Sequence, residues 1–127
     1  MRFISAFGIV ASLAVSAASA NAQSDIPPKL EGQKAIQAIT GSTIVGYGQH
    51  GRFVIFIAVD HSLDVLEKGK RETEQWSFKD NRFCILHQSP CLKLTVFGTQ
   101  GILDTGGSVI PFNIEPGNQV DAYAAKG

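Results

Sequence analysis

From residue 41 onward the chain is interrupted by turn-forming residues at eight-to-twelve-residue spacing. Gly51, Asp60, Gly69, Asp80-Asn81, Pro90, Gly98, Gly106-Gly107 and Pro116 leave no uninterrupted stretch long enough for a substantial helix. Short runs rich in β-branched and aromatic residues lie between them, and regular spacing of this kind is the signature of an antiparallel all-β domain. The pattern predicts seven or eight strands in a small meander or barrel, over 43–47, 52–59, 63–67, 71–79, 82–86, 91–97, 102–104 and 109–114.

Two of these runs carry more information than the rest. Arg52-Phe53-Val54-Ile55-Phe56-Ile57-Ala58-Val59 is apolar on both alternating faces, as expected of a strand that is central or covered on both sides. In 71–79 the alternation is clean: Arg71, Thr73, Gln75, Ser77 and Lys79 face one way, Trp76 and Phe78 the other. Trp76 is therefore expected as the main core aromatic. Asp80-Asn81 fits a two-residue hairpin loop, since both residue types tolerate positive φ. Pro111 within the last strand suggests a sheet edge, because proline has no N–H to donate to a neighbouring strand. Ahead of the strands, Leu30, Ala35, Ile36 and Ile39 form a modest stripe of helical period closed by Gly41, which predicts one short helix over 30–40. The expected β-domain spans 30–118, preceded by an extended leader over 23–29 that contains Pro27-Pro28 and followed by a flexible tail over 119–127.

Residues 1–22 are different in kind. One positive charge at Arg2, an apolar run of about a dozen residues and the small residues Ala18-Ser19-Ala20-Asn21-Ala22 make a secretory signal peptide, with cleavage expected after Ala22 or Ala20. The apolar run is too short for a membrane span, which needs roughly 20 residues. No cysteine stands at the cleavage site to take a lipid anchor, and no later stretch is apolar enough to cross a bilayer. A periplasmic or secreted location is the expectation.

Removing 1–22 takes away Arg2 and no acidic residue, leaving ten basic against eleven acidic side chains. That balance argues against nucleic acid as a partner, which calls for a clustered cationic excess. The basic run Lys68-Gly69-Lys70-Arg71 is offset by Glu67, Glu72 and Glu74, as in a solvated turn. Cys84 and Cys91 are the only cysteines. An even pair in an oxidising compartment predicts a disulfide, and their C-x6-C spacing is not that of a redox motif. Two thiols alone do not make a zinc site.

Candidate chemistry is sparse. His50, His61 and His87 all fall in expected turns and form a possible binding rim, but none of their spacings is that of a metal-ligand pair. No catalytic residue, metal or other cofactor is assigned. Asp104-Thr105-Gly106 matches the triplet of aspartic proteases, a chemistry that needs two such aspartates sharing a proton. Its context, Gly107-Ser108, is that of a hairpin turn. Gly41-Ser42-Thr43 lacks the second glycine of a nucleophile elbow. Glu72 and Glu74 share a face with Trp76, which raises a glycosidase-like pairing, although charged residues beyond the core's edge explain them more simply.

The order Gly41-Ser42-Thr43-Ile44-Val45-Gly46, Asp60-His61, Glu74-Gln75-Trp76, Cys84 with Cys91, and Gly117-Asn118 resembles an uncharacterised family of small secreted proteins of alphaproteobacterial envelopes. That family's pattern is a short helix, a G-N-T-x-x-G-like turn, a strand ending in D-G, a G-x-W strand, a paired-cysteine hairpin and a terminal G-N. The likeness extends over most of 30–118; Ser42 stands for Asn, and His61 and Glu74 stand for Gly. It implies a small β fold in the periplasm and brings no activity with it. The functional expectation is a non-enzymatic domain that binds a protein or small-molecule partner through loops 48–51, 60–62 and 87–90. The alternatives are an inhibitor of an envelope hydrolase, such as a protease or lysozyme, and a small hydrolytic enzyme.

Overall fold

The structure is a computed structural model that describes residues 26–126. The expected signal peptide, its cleavage sites and residues 23–25 of the leader lie outside the described residues. Among the described residues nine antiparallel strands form one curled, half-barrel sheet: β1 (Lys29–Glu31), β2 (Ser42–Gly48), β3 (Gly51–Ile57), β4 (Ser62–Glu67), β5 (Lys70–Lys79), β6 (Arg82–Ile85), β7 (Lys93–Phe97), β8 (Gln100–Asp104) and β9 (Val109–Pro116). Two short helices accompany them, α1 (Gln33–Ile39) and α2 (Val120–Ala125). The order across the sheet is β1-β7-β8-β9-β2-β3-β4-β5-β6. The strands β2 to β6 and β7 to β9 each form a consecutive meander; β1 adds to β7 at the edge, and β9 returns to pair with β2 from Ser42↔Pro116 to Gly46↔Phe112. This return brings the two halves of the meander round on each other. The edge strand β6 is joined to the other half where Phe83 and Leu92, just ahead of β7, exchange backbone hydrogen bonds of 2.8 and 2.7 Å.

The Cys84–Cys91 disulfide forms beside that bridge, with Cα atoms 4.4 Å apart. Closing so short a loop contributes roughly 2–3 kcal/mol in the chain-entropy account. Asp80 and Asn81 both take positive φ, 53° and 63°, so the β5–β6 hairpin turns as their side chains predict.

Beyond shifts of a residue or two at strand ends, three features differ from the sequence expectation, each for a local reason. The ninth strand is β1, in a segment expected to begin the helix. Gly32 takes φ 61° and ψ −132°, which breaks any helix there, and Lys29–Glu31 instead pair with Thr95–Phe97 of β7. Pro111 is not on a sheet edge, since β9 lies between β8 and β2. It is tolerated because the β2 ladder ends one residue away at Phe112, leaving no bond there for a proline N–H to make. The segment over 119–127, expected as a flexible tail, contains α2, whose Val120 is fully buried.

One core fills the inside of the curl. Every strand from β2 to β9 contributes a buried apolar side chain: Ile44, Phe53 and Ile57, Leu63, Trp76, Phe83, Leu94 and Val96, Leu103, and Phe112. Helix α1 adds Ala35, Ile36 and Ile39. Large and small residues alternate across the sheet in the row Phe53, Gly46, Phe112, Gly101, Val96, so each phenylalanine has a glycine opposite it to cover.

The outer face of β3 is also apolar, and α2 covers it. Val120 packs on Val54 and Leu66, with Val45, Phe56 and Tyr123 around them. Buried Thr43 ties the start of this helix to β2: its hydroxyl donates to the Gly117 carbonyl at 2.6 Å and accepts the Gln119 N–H at 2.9 Å. Asn118 accepts the Val120 N–H at 3.0 Å. Arg71 donates to both carboxylate oxygens of Asp64, at 3.0 and 2.7 Å, and to Asp121. Chiefly because of the hydrogen bonds from Arg71, the Asp64 carboxyl is held below its ordinary range.

Candidate ligand cavity

The two ends of the curl are closed differently. Helix α1 blocks one: it ends where the Gly41 N–H donates to Ile57 at the end of β3, and it begins at Gly32, against Asn81 of the β5–β6 turn. At the other end, beside the β2–β3 turn, the strands surround a cavity of about 640 Å³. This lies within the 300–1,000 Å³ usual for small-molecule sites. Phe53, Ile55, Val65, Ile85, Leu92, Leu103 and Ile110 supply its apolar wall. Five of them (Ile55, Val65, Ile85, Leu92 and Ile110) stay half-buried, packed against the core on one side and open to the cavity on the other. Gln49 and His50 from the β2–β3 turn, Gln88-Ser89-Pro90, and Thr105 with Ser108 make its polar rim. Two exposed side chains, Tyr47 at 71% and Val109 at 58%, stand at the mouth.

Strand alternation also places carboxylates here. Trp76 is only 7% exposed, which fixes its face of β5 as inward, and Glu74 and Glu72 follow on that same face. Glu67 joins them from β4, and all three line the cavity. The expected sharing of a face by Glu72, Glu74 and Trp76 is therefore seen. What the sequence did not reveal is that the face at that height borders open space.

The three histidines do not converge. His50 lines the cavity. His61 lies at the opposite end of β3, stacked on Trp76 with ring centroids 4.3 Å apart and planes 3° from parallel. Its backbone takes φ 72°, and its Nδ1 lies 3.2 Å from the Trp76 carbonyl, while the indole N–H donates to Ala58 at 3.0 Å. His61 thus covers the core tryptophan. His87 is exposed in the turn after β6, also at positive φ. Of the expected contact loops, 48–51 and 87–90 border the cavity, whereas 60–62 is remote from it. Among the described residues no group of three or more His, Cys, Asp or Glu side chains is arranged to hold a metal.

The remaining motifs resolve into turn chemistry. The Asp104 carboxylate accepts the Gly106 N–H at 2.8 Å and the Thr105 hydroxyl oxygen accepts the Ser108 N–H at 3.0 Å, so the D-T-G triplet builds the β8–β9 turn. Lys68 and Gly69 form the β4–β5 turn, and Arg71 is engaged with Asp64 and Asp121. His50 shares the cavity with three carboxylates, yet among the described residues no hydrogen bond or ion pair joins it to any of them. A histidine oriented by a carboxylate, the usual core of acid–base catalysis, is not assembled there.

No family model, curated protein or solved structure matches the chain.

Proposed function

We propose that this chain is an exported protein whose β-domain acts by binding rather than by catalysis, and that it holds a small molecule with substantial apolar surface inside the curled sheet. The supporting observation is the convergence of half-buried apolar side chains from four strands, and of Leu92 just ahead of β7, on one open cavity, while α1 closes the opposite end. Apolar surface left facing water is stabilised by roughly 25 cal/mol per Å² when a ligand covers it, so such a wall favours an apolar occupant. Export is supported by the composition of 1–22 and by the formed disulfide. No described helix is long and apolar enough to cross a membrane.

An uncharged fluorescent probe, N-phenyl-1-naphthylamine, tests the binding reading. Its emission is expected to rise saturably at one probe per chain, and Ile110→Trp, which extends a ring into the cavity, is expected to abolish the rise with little change in melting temperature. Should Ile110→Trp not fold, Val65→Phe serves the same purpose from β4. Probe emission that a folded cavity-filling variant leaves intact contradicts the proposal.

A further inference from the structure

The chemistry of the cavity wall narrows the class of ligand, an inference that rests on the cavity being the binding site. On the inward face of β5, Glu72 lies opposite Val65 and Glu74 opposite Leu63, so both carboxylates border apolar neighbours. Glu67 lies opposite Phe53 on one side and Lys70 on the other. Among the described residues none of the three carboxylates forms an ion pair, Lys70 included. Lys68 and Lys70 share a neighbouring surface groove with Glu67 and Glu72, whereas the cavity lining, which Glu74 also enters, contains neither lysine nor arginine. Glu67 and Glu74 are half-buried. An ionised carboxylate beside apolar surface loses part of its hydration, and when a neutral occupant displaces the remaining water the loss grows. An occupant that brings its own positive charge reverses the sign of that effect.

We infer that the cavity is built for an organic cation, an apolar body carrying an ammonium group. The apolar part sits against Ile55, Val65 and Ile110, and the cationic head is directed to the wall formed by Glu67, Glu72 and Glu74.

Calorimetric titration of the chain with three probes that share one tail and differ in head group tests this: decyltrimethylammonium, decyl maltoside and decyl sulfate, each below its micelle-forming concentration. The cation is expected to bind at one site roughly tenfold more tightly than the maltoside, the scale of two part-exposed ion pairs. The sulfate is expected to bind more weakly than either. Added salt is expected to erode only the preference for the cation. The double substitution Glu72→Gln/Glu74→Gln is expected to remove that preference while maltoside binding persists, which also certifies that the variant is folded. Equal affinity for the three heads, a preference for the sulfate, or a cation preference that survives the double substitution overturns the inference and leaves the cavity reading standing. Failure of all three probes to bind overturns both.

Discussion

Gly46→Val is expected to abolish the native fold or to lower its melting temperature by more than any single side-chain truncation. A Cβ at Gly46 falls 2.5 Å from the Pro111 carbonyl oxygen and 2.7 Å from Phe53 Cζ. The first contact is with backbone held in the β9 ladder, and the second is with a ring packed in the core, so neither retreats cheaply. Overpacking of this kind costs typically 1–3 kcal/mol for a modest intrusion, and valine adds two further methyl groups to the same space. The total is set against about 5–15 kcal/mol of stability for a whole domain. Gly46→Ala should fall between, with a melting temperature lower by on the order of 10 °C. Gly107→Ala is the control: its Cβ meets nothing within 4 Å, and the expected change is within about 0.5 kcal/mol. Circular dichroism melts of the three variants decide the matter. A Gly46→Val protein as stable as the Gly107→Ala protein contradicts the row of alternating phenylalanine and glycine on which the inner packing depends.

The second large effect concerns the C-terminal helix. A chain ended at Pro116 is expected to lose roughly 2–4 kcal/mol and to bind a hydrophobic dye, because Val120 leaves Val54 and Leu66 exposed. Thr43, buried beneath the helix start, loses the Gly117 and Gln119 partners of its hydroxyl. Val120→Asp in the full chain should reproduce most of the loss, since it places a carboxylate in the same apolar contact. A smaller effect has a defined pH dependence. The Asp64 carboxyl is lowered on folding, so its stabilisation is fully present above the ordinary carboxylate range near pH 4 and disappears as pH falls through the lowered value. Arg71→Ala is expected to flatten that acid limb. Denaturant midpoints for the truncated and substituted chains, measured beside the full chain, test the helix's role. An unchanged midpoint in the chain ended at Pro116 contradicts it.

The sequence already contained half of the reason for this helix. A strand apolar on both faces, 52–59, requires a cover on each, and the curl supplies only the inner one. The six-residue segment that supplies the outer cover, Val120–Ala125, has one buried side chain and no strong stop or start signals, so its own pattern reads as tail. Strand positions were legible because turn residues are local: Asp80-Asn81 and the alternation around Trp76 act within a few residues. The roles of Gly46 and Pro111 were not legible, since each depends on where β9 pairs, some sixty-five residues away in the chain. The cavity was hidden for a related reason. Alternation tells which face Glu72 and Glu74 share with Trp76, but not how far up that face the core extends. That height is set by α1 filling only one end. The histidines could not be placed relative to one another from the sequence, because turns at both ends of the strands are alike in composition and only the topology assigns His50 and His61 to opposite ends.

In the proposed function, a ligand sits inside the curled sheet at the end away from α1. Intermolecular nuclear Overhauser effects between N-phenyl-1-naphthylamine and the methyl groups of the labelled chain test it most directly. Cross-peaks to Ile55, Val65, Leu103 and Ile110, with none to Val54 or Leu66 on the outer face, are the predicted result. Cross-peaks confined to the outer-face methyls beside α2, or a bound probe with no contact to the inner set, would contradict it.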